Sequence, residues 1–194
     1  PHADRLDLLD KLKEVAFSRD DLYLEYVTLL NQLGRYEEAI HMIDARRFHP
    51  WEGGEGKVPA QYQLARVELV KACLKAGENE KALFLIEECF IYPYNLGEGK
   101  LYGAQENDFN YYKACALQAL GREAEARELF LAASTGNSQP AAAMYYNDQK
   151  PDKIFYQGLA FRKLGREDEA RGCFNRLIDF GEKHLFDTFK MDYF

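Results

Sequence analysis

Leu33-Gly34-Arg35-Tyr36-Glu37-Glu38-Ala39 is the stretch that decides the fold, because its frame returns three more times. The other copies are Ala76-Gly77-Glu78-Asn79-Glu80-Lys81-Ala82, Leu120-Gly121-Arg122-Glu123-Ala124-Glu125-Ala126 and Leu164-Gly165-Arg166-Glu167-Asp168-Glu169-Ala170. Each has a glycine, an acidic run and an alanine five residues after the glycine. Successive glycines are 43, 44 and 44 residues apart. A fixed period in this range marks a stack of supersecondary units.

Residues before each glycine recur at three- and four-residue steps, the spacing of one helix face. They are Leu22, Tyr26, Leu29, Leu30 and Leu33 in the first copy, and Leu64, Val67, Val70, Cys73 and Leu74 in the second. Tyr111, Ala114, Leu117 and Leu120 follow in the third, and Ile154, Gly158, Phe161 and Leu164 in the fourth. The glycine ends that helix in a left-handed conformation. The acidic run suits the positive end of the next helix dipole. A second helix then presents an alanine and, four residues on, a large apolar group: Ile43, Ile86, Phe130 or Phe174. The predicted helix pairs are 20–33/36–46, 58–76/79–89, 106–120/122–133 and 152–164/167–181.

This helix–turn–helix unit resembles the tetratricopeptide repeat (TPR). The resemblance spans residues 20–182 as four repeats, 20–62, 63–106, 107–150 and 151–182. It implies an all-α, right-handed superhelical solenoid of about four hairpins with long inter-repeat loops. The tryptophan usual early in the first helix is absent, and the small residue at its middle survives only at Ala114 and Gly158. The period exceeds the ordinary 34 residues by about ten. Residues 1–19, with Leu6, Leu8, Leu9, Leu12 and Val15 as one amphipathic helix over 4–15, are expected to form part of a preceding repeat or a cap. Residues 183–194 are expected to be a truncated extension. The opening Pro1-His2 is read as the start of a piece of a longer protein.

The surplus falls between one pair and the next. Phe48-His-Pro-Trp-Glu-Gly-Gly-Glu-Gly-Lys57 and Ile91-Tyr-Pro-Tyr-Asn-Leu-Gly-Glu-Gly-Lys100 share a proline, a following aromatic and Gly-Glu-Gly-Lys at matching offsets. The third insert, Thr135–Asp152, has lost this frame and carries Pro140, an alanine run and Tyr145-Tyr146. Two loops that keep one frame suggest a common task. They match neither a phosphate loop nor a dinucleotide fingerprint, since no strand precedes them and no hydroxyl follows the lysine. Two readings stay open. In one, glycines permit the turns and Trp51 and Tyr94 plug a groove. In the other, Trp51, Glu55, Lys57, Tyr94, Glu98 and Lys100 line one edge and contact a ligand or partner. Either way, Trp51 and Tyr94 are expected at equivalent positions one repeat apart.

The repeat frame places Leu24, Thr28, Asn31 and Gln32 on the inner groove, with Val67, Lys71, Leu74 and Lys75 from the second pair. Tyr111, Cys115 and Gln118 follow from the third, and Phe155, Leu159, Arg162 and Lys163 from the fourth. The cations Lys71, Lys75, Arg162 and Lys163 suit an acidic peptide. A chaperone-tail clamp would need lysine and asparagine where Leu24 and Thr28 stand.

A net charge of −7 disfavours nucleic acid. No apolar run is long enough for a membrane span. Cys73, Cys89, Cys115 and Cys173 form no CxxC pair and read as core residues, which favours a reducing, cytoplasmic compartment. The histidines, His2, His41, His49 and His184, lack metal-ligand spacing. No cofactor, metal site or catalytic residue is expected.

More closely, Phe48–Tyr62, Tyr92–Lys100 and Gly165–Phe194 resemble the C-terminal TPR region of large bacterial proteins whose N-terminal domain has a carbohydrate-enzyme appearance. That resemblance implies a non-catalytic accessory module docking its upstream domain or another protein. The alternative is a carbohydrate-binding or active-site-lining part of a glycan-processing enzyme.

Overall fold

The computed structural model describes residues 1–141 and 150–188; Tyr145 and Tyr146 of the third insert and Phe189, Tyr193 and Phe194 near the C-terminus lie outside them. The described residues are helical without strands. The helices are α1 His2–Lys11, α2 Lys13–Ser18, α3 Asp20–Gln32, α4 Tyr36–Ala45 and α5 Lys57–Ala76. They continue as α6 Asn79–Cys89, α7 Asn107–Ala119, α8 Glu123–Ala133, α9 Pro151–Lys163 and α10 Glu167–His184. A single 3-10 turn, Tyr94–Leu96, lies in the second insert. All four sequence-predicted pairs are present. Their ends agree within two residues, except at α10, which runs three further.

One turn geometry joins every pair. Gly34, Gly77, Gly121 and Gly165 have φ of 74°, 78°, 77° and 74°. The residue after each glycine donates its N–H to the carbonyl five residues back, at 2.9 Å in all four: Arg35 to Leu30, Glu78 to Cys73, Arg122 to Leu117, Arg166 to Phe161. Each glycine N–H donates to the carbonyl three back, at 3.0–3.3 Å. This double bond satisfies carbonyls that a helix end leaves open, and it requires the left-handed residue.

Burial follows the repeat frame. Ala39, Ala82, Ala126 and Ala170 are buried, as are Ile43, Ile86 and Phe130. Within the fourth pair, a Cβ on Gly158 would lie 2.5 Å from the Phe174 ring. Gly158 thus lets α9 and α10 close on each other.

The chain divides into two compact units. The first comprises Pro1–Ala104 with Cys115–Glu123, and the second Gln105–Ala114 with Ala124–Phe194. In the first, α3 and α4 both pack on α5, and α5 packs on α6. Arg66 ties these layers together. Its guanidinium, 3% exposed, pairs with Asp44 of α4 at 3.0 Å and Glu88 of α6 at 2.9 Å, and stacks on the Tyr62 ring. In the second unit, Asn107 caps α8 by donating to the Ala133 and Thr135 carbonyls, both at 2.8 Å. Lys153 and Asp108 form a mostly buried pair at 2.6 Å.

The N-terminal segment corrects the sequence reading. The single helix expected over 4–15 is broken at Leu12, where φ is −115° and ψ 30°. Both pieces pack on α3, and the residues buried are Leu6 and Ala16; Leu8, Leu12 and Val15 are exposed. With the break, each short piece packs separately on α3 and buries one residue, Leu6 or Ala16.

Candidate functional site

The first two inserts form one structure. Its base is Asp20, at the start of α3. Asp20 accepts from Arg46 Nε at 2.6 Å and from the backbone N–H of His49 at 2.8 Å. Arg46 also donates to the Phe17 carbonyl at 2.8 Å. These bonds fix where the chain leaves α4. Burial pushes the Asp20 carboxyl up, but the His49 N–H and the Arg46 guanidinium outweigh it and hold the group below its ordinary value.

The second insert is laid against the first. Phe48 N–H donates to the Asn95 carbonyl at 2.8 Å. Asn95 Nδ2 donates to the Ile43 and Arg46 carbonyls at 2.9 and 3.1 Å, capping the end of α4. Gly56 N–H donates to Glu98 Oε2 at 2.7 Å. Leu96 and Phe48 are buried in the same core cluster. Gly97 has φ of 76°, and a Cβ there would lie 2.6 Å from the Phe48 oxygen. The glycine is needed for its conformation and for this close approach.

Trp51 and Tyr94 are not equivalent, contrary to the sequence expectation. Trp51 is half-buried against the core, its ring 2.2 Å from where a Gly54 Cβ would stand. Tyr94 is 81% exposed; Arg47 covers one face of its ring at 4.9 Å and donates to its hydroxyl at 2.8 Å. The cause lies at two positions where the shared frame differs. The first loop has Glu52-Gly53 where the second has Asn95-Leu96. Leu96 anchors the second loop in the core and Asn95 caps α4, which leaves Tyr94 outside. Glu52 and Gly53 offer no apolar anchor, so Trp51 supplies it.

Between the loops lies a cleft of about 270 Å³ lined by His49, Pro50, Trp51, Glu52, Gly54, Glu55, Val58, Leu96 and Glu98. Three of the expected edge residues, Trp51, Glu55 and Glu98, thus come together. Lys57 and Lys100 are exposed and are not among the lining residues; Lys100 donates to the Phe90 carbonyl at 3.2 Å. Tyr94 is likewise absent from the lining.

The expected inner groove is partly filled. Leu24, Asn31 and Val67 are buried. α3 packs on α5, and Asn31 donates to the Gln61 side chain at 2.9 Å and to its carbonyl at 3.2 Å. The face assigned to an open groove is an inter-helix contact there. Lys71 is half-exposed and pairs with Glu68 at 2.5 Å, and Lys75 is exposed. In the second unit Tyr111 packs among Tyr112, Phe130 and Tyr156. Arg162 sits 3.9 Å from Glu167, and the Lys163 ammonium lies 5.6 Å from the Phe130 ring centre.

The missed residues are Asn95, Leu96, Arg47 and Asp20. Asn95-Leu96 was the only signal available, as the break in an otherwise matching frame. Cys73, Cys89 and Cys173 are buried, Cys115 is half-buried, and none of the four is in a disulfide. Burial raises the Cys73 and Cys173 thiols above their ordinary value. Among the described residues there is no cluster of His, Cys, Asp and Glu able to hold a metal ion, and no helix is long and apolar enough to cross a membrane. Compared with known proteins, the chain matches no family model and no solved structure.

Proposed function

We propose that this chain is a non-catalytic interaction scaffold of TPR type, an accessory module that docks another domain or protein. The four helix pairs would continue as a right-handed superhelix. The observation that carries the reading is the joined pair of inserts. Loops of this length cost closure entropy, yet here they are braced by capping, backbone pairing and a buried leucine, and they hold Tyr94 outward. A rigid exposed aromatic flanked by a cation has the character of an interface anchor. The partner in this proposal is the domain that the resemblance places upstream, or a second protein.

Isothermal titration of the separately expressed upstream domain into this chain tests the reading. A saturable one-to-one complex is expected, with no turnover of glycan, peptide or phosphoester by the chain itself. No heat of association, or turnover by the chain alone, would overturn it. The carbohydrate-binding alternative draws support from Trp51 beside three carboxylates in the cleft.

A further inference from the structure

We infer that the cleft between the two inserts takes a cationic side chain, an arginine above all, from the polypeptide the scaffold docks. The inference rests on the scaffold reading and adds the chemistry of what is bound.

The charge of the cleft is one-sided. Its lining includes three carboxylates, Glu52, Glu55 and Glu98, and neither lysine nor arginine. His49 lines it as well, but its Nδ1 lies 3.1 Å from Asp20, which ties that ring edge to the base of the loop. Glu98 spends one oxygen on the Gly56 N–H, which fixes the carboxylate in place. A carboxylate accepts at two oxygens, so one remains for a donor. The rest of the lining is apolar or aromatic: Pro50, Trp51, Val58 and Leu96. Trp51 is held against Gly54 and so presents an indole whose orientation is already set.

A carboxylate fixed beside a tryptophan suits a guanidinium. Its fork of N–H donors matches a carboxylate, and its plane is attracted to an indole face. The apolar walls suit the methylene stem. A volume of about 270 Å³ admits a single arginine side chain. A cation complements the negative charge that the three carboxylates give the lining, and a neutral ligand does not.

The test uses the only tryptophan in the chain. Its indole N–H gives a single peak in a ¹⁵N–¹H spectrum and reports on the cleft directly. The probes are the blocked peptide acetyl-Gly-Arg-Gly-amide, its citrulline counterpart, which has nearly the same shape and no charge, and maltotriose. The arginine peptide is expected to shift the Trp51 peak saturably, while the citrulline peptide and maltotriose leave it in place. Glu55→Gln and Glu98→Gln should each weaken the arginine peptide at least fivefold. A peak that does not move with the arginine peptide, or moves equally with citrulline, overturns the inference. A saturable shift with maltotriose alone also overturns it, in favour of a sugar site. Because no partner domain is present in this titration, its failure beside intact association with the upstream domain removes the cleft assignment and leaves the scaffold reading standing.

Discussion

The backbone N–H of Phe48 meets the carbonyl of Asn95 at 2.8 Å, and through that bond two loops 47 residues apart become one body. Asn95 strengthens the joint from its other side. Its amide donates to the Arg46 carbonyl and to the Ile43 carbonyl, which also accepts the Arg46 N–H at 3.2 Å. Asn95→Ala should therefore cost about 1–3 kcal/mol, the penalty of removing the donor to the Arg46 carbonyl and weakening the end of α4. Urea unfolding monitored by far-ultraviolet circular dichroism measures it. Emission from Trp51, which lies across the joint, should shift to the red in the folded variant.

Gly97 and Gly99 offer a matched comparison within one tetrapeptide. Alanine at Gly97 meets both a positive φ and the Phe48 oxygen at 2.6 Å, whereas alanine at Gly99 meets nothing within 4 Å. Gly97→Ala should destabilise by about 1–3 kcal/mol. Gly99→Ala should stay within about 0.5 kcal/mol of the parent, as surface changes do. Equal denaturation midpoints for the two variants would contradict the packing of the second insert on the first.

At the fourth pair, Gly158→Ala should force α9 away from the Phe174 ring and cost about 1–3 kcal/mol. Phe174→Leu in the same chain should recover part of that loss by vacating the space. In the third pair, Ala126→Leu should cost a similar amount, since Ala126 is buried. Thermal unfolding of the single and double variants checks both statements.

The helix pairs were legible because their signal is local and repeated. A glycine that must adopt positive φ, an acidic first turn and a buried alanine each occupy a fixed place in four copies. The joined inserts were not. The repeated Gly-Glu-Gly-Lys frame points to likeness between the loops, whereas their contact depends on Asn95 and Leu96, where they differ. The Phe48–Asn95 bond is between backbone groups, which carry no residue signature. The inner-groove assignment failed at Leu24 and Asn31 for a related reason. A period fixes which residues share a face, but not which neighbouring helix covers it.

Asp20 and Tyr62 each contribute to the pH response. Asp20 is held below its ordinary value of 3.8, so its contribution is complete above that value and is lost as pH falls below it. Asp20→Asn should flatten the acid limb of the stability curve. Tyr62 is pushed by burial from 10.0 up to about 12. Its native state keeps the proton while the unfolded chain releases it, so stability is complete below pH 10 and declines between pH 10 and 12. Tyr62→Phe should lessen that alkaline decline, leaving the part due to Tyr23 and Tyr26, whose hydroxyls burial also raises. Urea midpoints measured across both windows test these signs.

The central claim, that the joined inserts are a docking surface, is tested most directly at Tyr94. The ring is exposed and contributes little to the core. Tyr94→Ala should leave the melting temperature unchanged, and should weaken association with the upstream domain by about 2 kcal/mol, as loss of an aromatic anchor does. Trp51→Ala should instead lower the melting temperature, because Trp51 packs on the core. The deciding measurement is isothermal titration of folded Tyr94→Ala against the separately expressed upstream domain. A drop in affinity of roughly thirtyfold at constant melting temperature is the predicted result. Unchanged affinity for Tyr94→Ala would contradict the claim.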